Sequence, residues 1–384
     1  LSACAFFGGG DEELDPTAPA KLQDFTPRLT VHRLWHHDLG RGPGQIHPPL
    51  LPAIDQGTVY AADRTGTVTA IDLQTGTRIW QKRLKNTPLT GATGAAHGKV
   101  LLGTGQGQVL ALDQATGTQL WQTSVSSEVL APPATDGHTV IVTSLDGRIH
   151  GLNAADGSPR WQADTQLPLL TLRGTAPPLI IPDLPTASGR PLPAAIIGQD
   201  SGKLAAYALR DGTQLWEARV GTPQGRTDLE RMVDIDGRPL YHKGTLYALA
   251  FQAGLMALQP ATGRALWFQS ASASTAPAAH AGSLVITESS GQIRAFNAFE
   301  GTELWATAAY ANRQLNAPAV ANLYVAVADY RGYLHLLDRR SGTTIGRHKI
   351  GRQGIRTPTL LHNGVLLLLD NGGTLSAYKV EELE

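Results

Sequence analysis

The sequence predicts an all-β chain: an eight-bladed β-propeller of four-stranded antiparallel blades, its ring closed by the N-terminal strand. Three observations predict it. One phrase recurs at a spacing near 40 residues, most copies running from a glycine through alternating apolar residues and an Xaa-Gly turn, Thr-Gly or Asp-Gly in the first five, to a tryptophan. A β-rich run precedes each copy. The N-terminal end carries one tryptophan strand too many and the C-terminal end one too few. A fixed period of this length, four strands to the unit, is the signature of propeller blades.

In chain order, residues 1–29 are polar and rich in Gly, Asp, Glu and Pro after the first few positions, and read as an N-terminal tether. LTVHRLWHHDLG (29–40) follows, an isolated strand carrying Trp35. The repeats then read GTVTAIDLQTGTRIW (66–80), GQVLALDQATGTQLW (107–121), GRIHGLNAADGSPRW (147–161), GKLAAYALRDGTQLW (202–216), GLMALQPATGRALW (254–267) and GQIRAFNAFEGTELW (291–305). In the seventh, GYLHLLDRRSGTTIG (332–346), Ile345 stands where the others have tryptophan. The eighth, GGTLSAYKVEELE (372–384), stops before that position. Alternation at period two marks half-buried strands. A glycine turn opens the strand of each phrase, and the glycine of the later Thr-Gly or Asp-Gly pair supplies the positive φ of a tight hairpin turn. Runs such as TVYAAD, KVLLGT and VLLLLD, preceded by Pro- or Ala-rich segments, provide the two remaining strands. The strand of Trp35 is therefore expected to complete the eighth blade, removing exposed edges. The propeller is expected over residues 30–380, with 381–384 as a tail.

Composition limits the partners. Charged residues are 17%, and Lys+Arg equals Asp+Glu at 32 each. This balance argues against nucleic acid, which demands a basic footprint, and against an anionic membrane surface as the main partner. No apolar run approaches the length of a transmembrane helix. Cys4 is the single cysteine, so no intramolecular disulfide or thiolate cluster can form.

Chemistry-bearing motifs are sparse. His32, His36 and His37 flank Trp35, but His36 and His37 point to opposite faces of a strand, which is not a metal-ligand arrangement. GTGQGQ (103–108) joins two strands with no helix after it and reads as a hairpin turn, not a phosphate loop. DIDG (234–237) is half a calcium loop whose remaining ligand positions, through Arg238 and Pro239, are wrong. No Gly-x-Ser-x-Gly or His-Glu-x-x-His motif occurs.

The repeat spacing stretches twice. Opening glycines lie 37–41 residues apart, except Gly147 to Gly202 (55) and Gly202 to Gly254 (52). The excess falls in a connection at 164–174 containing LPLLTLRG, in a connection at 221–239, and in a Pro-rich loop at 181–193. Strand alternation sends both connections to one end of the ring and the Pro-rich loop to the other. The leucines of the first can thus share a surface with Asp228, Glu230, Asp234 and Asp236 of the second. Long loops on a rigid scaffold concentrate binding residues, and an apolar patch rimmed by charge suits a protein partner. Alternatively, Leu170 and Leu172 begin the inner strand of the fourth blade and face the core.

The repeated phrase resembles the pyrroloquinoline-quinone-type propeller repeat, and the chain from Cys4 to about Val380 resembles the BamB family of the outer-membrane β-barrel assembly (BAM) complex. Leu1-Ser2-Ala3-Cys4 resembles a bacterial lipobox. That resemblance implies lipidation at Cys4, and Ala5 in place of Asp implies the periplasmic face of the outer membrane. The family resemblance implies a non-enzymatic scaffold without cofactor or metal. It also implies that the L-x-L-R-G phrase (Leu170, Leu172, Arg173) and the D-x-D phrase (Asp234, Asp236) bind the periplasmic POTRA region of BamA. Nascent outer-membrane proteins are a further expected partner. Gly237-Arg238-Pro239 departs from the family pattern beside the second phrase. The alternatives are a quinoprotein-like enzyme, which would need a cysteine pair this chain lacks, and a periplasmic sensor propeller binding a ligand in its channel.

Overall fold

The structure is a computed structural model describing residues 15, 17–42, 50–165, 167, 168, 170 and 176–383. These residues form eight four-stranded antiparallel sheets. In blade one, an inner strand, Ala53–Asp55, is followed by Thr58–Ala62, Thr67–Asp72 and the outer Arg78–Arg83. Inner strands have two or three residues except in blade four, where Leu179–Leu184 has six. The two middle strands are buried almost throughout, and the outer strand alternates charged residues with its tryptophan. Blade eight is composite: Leu29–Asp38 pairs antiparallel with Thr374–Glu382, outside Val365–Leu369 and Leu360–His362. The closure expected from the Trp35 strand is therefore present, and the C-terminal strand extends to Glu382.

Adjacent blades are fastened by one repeated contact. A β-bulge falls between the third and outer strands at the same point of every blade from one to seven, for example Ala70/Ile71 and Ala111/Leu112. Such an extra residue re-aims the side chain beside it. The tryptophan reaches the next blade, where its indole N–H donates to a turn carbonyl: Trp35 to Leu73, Trp80 to Gln114, Trp121 to Ala154. Its ring lies on the glycine of that turn. A Cβ on Gly157 would sit 2.6 Å from the Trp121 ring, and φ there is +75°. The Thr-Gly and Asp-Gly turns are thus fixed by conformation and by the neighbour's indole together.

This contact explains Ile345. Blade eight ends in a strand and has no third-to-outer turn to receive an indole. Ile345 is buried instead in an apolar cluster with Leu29, Val31 and Tyr378. The junction of blades seven and eight is closed by the chain ends: Arg28 N donates to Ile345 O, Leu383 N to Arg28 O, and Arg28 pairs with Asp338 at 2.7 Å.

One opening glycine departs from the expected role. Gly254 does not have positive φ; Gln252 takes the left-handed conformation at +51°. Gly254 instead pairs with Ala250 and Ser270 inside its sheet, with the Phe268 ring against its Cα.

Turns between second and third strands share one end of the ring with the blade-to-blade connections; we call this the connection end. Turns between first and second and between third and outer strands occupy the hairpin end. Residues 185–191 of the Pro-rich loop lie at the hairpin end, between Leu184 and Leu192 of blade four. The segment 17–28 crosses the outside of blades six and seven as a strap. Asn312 Nδ2 donates to Ala18 O, Ala20 N to Ala311 O, Arg313 Nη1 to Ala20 O and Arg347 Nη2 to Gln23 O. Leu22 packs on the blade-six cluster, and Phe25 lies under the Arg347 guanidinium at 4.9 Å.

Candidate functional site

The two long connections meet over the second-to-third-strand turn of blade four. In the first, Thr165 N and Oγ1 both donate to Gly147 O. Leu167 then lies over Gly147 with 48% of its surface exposed, and Leu170 is 44% exposed. Leu170 therefore does not face the core. Leu172, Arg173 and Gly174 lie outside the described residues, as does Cys4. Ala176 re-enters the core against Gly198.

The second connection folds on itself before it reaches the carboxylates. Glu230 accepts from the amides of Arg226 and Thr227, while Thr227 Oγ1 accepts from Glu230 N. This reciprocal cap holds Asp228, Leu229 and Glu230 out in solvent, Leu229 with 62% of its surface exposed. Val233 and Ile235 then turn inward. Val233 packs beside Gly202 and Gly221, and Ile235 on Gly198. Ile235 N donates to Gln199 O, and Phe251 N donates to Asp234 O. The Asp-Ile-Asp phrase is thereby wedged between the turns of blades four and five.

This wedge draws carboxylates together away from water. Asp234 is fully buried and Asp236 half-buried. Both carboxylate oxygens of Asp236 lack a hydrogen-bond partner. Burial, reinforced by the charges of Asp234 and Asp200, pushes the Asp236 carboxyl up to about 8. Asp200, in the turn beneath, is pushed up to about 7 by burial and by Asp234. Crowded, desolvated carboxylates resist ionisation until a cation arrives. Asp200 is the residue sequence reasoning missed. Its signal was an aspartate in the one turn flanked by both long connections.

Blade three carries a polar cluster resembling a nucleophile site in composition alone. Ser144 Oγ donates to Asp146 at 2.5 Å and lies 3.0 Å from His150 Nε2. The carboxylate is on the serine, not behind the imidazole, so it cannot orient a general base as a triad requires.

The family model described as outer membrane protein assembly factor BamB matches residues 29–87, 64–307 and 289–384. The chain belongs to the BamB family. It is 38% identical over 378 residues to BamB of Pseudomonas aeruginosa, covering 98% of this chain and 97% of that protein. It is 37% identical over 373 residues to BamB of Xanthomonas campestris, covering 95% and 89%. The crystal structure of BamB from Moraxella catarrhalis superposes with a TM-score of 0.80 at 27% identity, covering 91% of this chain and all of that one. The quinohemoprotein alcohol dehydrogenase of Comamonas testosteroni gives a TM-score of 0.67 at 12% identity, covering 91% and 76%. This second likeness is one of fold alone. BamB proteins are outer-membrane protein assembly factors by name, and membership associates this chain with that process.

Proposed function

We propose that this chain is a non-enzymatic scaffold lipoprotein, anchored through Cys4 at the periplasmic face of the outer membrane. In this reading it docks on the periplasmic POTRA region of BamA through the two connections flanking blade four, and so assists insertion of β-barrel proteins. Leu170, Leu172, Arg173, Asp234 and Asp236 are the docking residues. The observation that carries the reading is the Asp236 carboxylate, held without a hydrogen-bond partner in one of two connections that also expose Leu167, Leu170 and Leu229. A partner bringing a lysine or arginine into an apolar rim would satisfy both features.

Co-purification with BamA tests it, comparing wild type with Arg173→Ala and with Asp234→Ala/Asp236→Ala. Capture should fall at least ten-fold in either variant while circular dichroism shows intact β structure. Undiminished capture in folded variants would remove the assignment. Mass spectrometry of membrane-extracted protein tests the anchor: an acylated N-terminal peptide beginning at Cys4 is expected, and an unmodified one refutes it.

A further inference from the structure

Charge is balanced over the whole chain but not over the connection end. Along the arc from blade seven through eight to one, Arg331, Lys349, Arg352, Arg41, Arg83 and Lys85 are all exposed. Hydrogen bonds make this arc continuous. Lys349 Nζ donates to Arg331 O, Asn371 Nδ2 to Gln353 O, Gly42 N to Gly372 O, Arg64 N to Arg41 O and Arg83 Nη1 to Thr65 Oγ1. The aspartates of the same arc point inward. Asp63, Asp329 and Asp370 are buried, and each accepts a backbone amide of its own turn. Asp329 is further matched by Arg313. Asp38 is the exposed exception, and the balance stays positive with every carboxylate counted.

The strap ends beside this arc. Ala18 and Ala20 are held on residues 311–313, in the connection between blades six and seven. Ala18 and Ala20 therefore lie at the connection end, at the margin of the basic arc. None of the large exposed hydrophobic side chains among the described residues falls on the arc. A protein interface draws its energy from such anchors, whereas a layer of anionic headgroups needs only cations near it.

We propose that the basic arc of blades seven, eight and one rests against an anionic lipid surface and sets the angle of the ring on the membrane. The lipid anchor at Cys4 is taken from the reading above. A tether ending at the arc's margin would hold it at high effective concentration near that surface. Blades four and five lie across the ring and stay free for a protein partner.

Vesicle co-sedimentation of the full chain carrying Cys4→Ser provides the test, since no acyl group can then contribute. The protein should bind phosphatidylethanolamine–phosphatidylglycerol vesicles well above phosphatidylcholine vesicles, and added salt should weaken that binding. Each cation at an anionic surface supports about five-fold in partitioning, so Arg331→Gln/Lys349→Gln/Arg352→Gln should lose at least ten-fold. An equal-charge control at the hairpin end, Arg210→Gln/Arg264→Gln/Arg340→Gln, should bind like wild type. The proposal fails if wild type does not discriminate between the vesicles, or if both triple variants lose binding equally. It also fails if the arc variant keeps its vesicle binding but loses an acidic protein partner. BamA capture by the arc variant should stay at the wild-type level, so failure here and failure of the docking assignment are read separately.

Discussion

A tryptophan in this ring stabilises two blades at once. Trp121 is buried, donates to Ala154 O across the blade boundary and covers Gly157. Trp121→Ala should therefore cost about 3–5 kcal/mol in urea unfolding, the loss of a large aromatic with little room for collapse. Gly157→Ala should cost about 1–3 kcal/mol from the other side of the same contact, through strain at positive φ and a clash with the indole. Asp236 has the opposite sign. Its folded carboxyl, near 8, binds a proton that an unfolded aspartate, near 3.8, releases. Its contribution to stability is therefore fully present below pH 3.8 and is lost as pH rises through 8. Asp236→Asn should make the free protein about 1–3 kcal/mol more stable than wild type at pH 8, with the gap closing toward pH 4. A gap independent of pH would contradict this assignment. The same change should weaken docking, so stability and binding would move apart.

The strap shows how much an element can owe to buried charge. Arg313 is almost wholly buried between Asp329 and the Ala20 carbonyl, and Asp329 also meets His335 Nε2 at 3.1 Å. Arg313→Ala would leave a buried carboxylate without its guanidinium, and should cost about 3–5 kcal/mol. Hydrogen exchange tests the strap directly. The amides of Ala20 and Arg28 should exchange far more slowly than in an unstructured peptide, and peptide-like rates would show it unfastened. Elements were unequally legible in the sequence. Period-two alternation and turn glycines located the strands because they report burial local to one blade. The strap was not legible: a polar, proline-bearing segment reads as a tether, and its fastenings lie about 300 positions away. Gly254 misled for a related reason. Its place in the phrase matched a turn glycine, yet close packing of Phe268, not φ, is what requires it.

At the scale of the molecule, the eight-fold count was legible because a surplus outer strand at one end and a missing one at the other can only belong together. The candidate site was legible as a location and not as a chemistry. Spacing marked the long connections, but the wedge of Ile235 that buries Asp234 and crowds Asp200 depends on packing between blades. The ring should behave as one cooperative unit. Deleting residues through Asp38 would open blade eight along Thr374–Glu382 and remove the indole that covers Gly76. The truncated chain should aggregate or lose its single urea transition, and a retained single transition would mean that closure contributes little.

The pairing of Leu29–Asp38 with Thr374–Glu382 also sets an order of events in biosynthesis. The strand made first has no neighbour until the strand made last has been released. Trp35 must wait while blades one to seven assemble behind it, held by contacts local to each pair. Folding is then expected in two phases, a fast one for the array and a slow one for the seam, because long-range pairing must bear the loop-closure entropy of the whole chain. Stopped-flow refolding followed by Trp35 alone, with the other six indoles replaced by phenylalanine in a variant that still folds, should report only the slow phase. A single rate shared with the rest of the ring would place closure early instead.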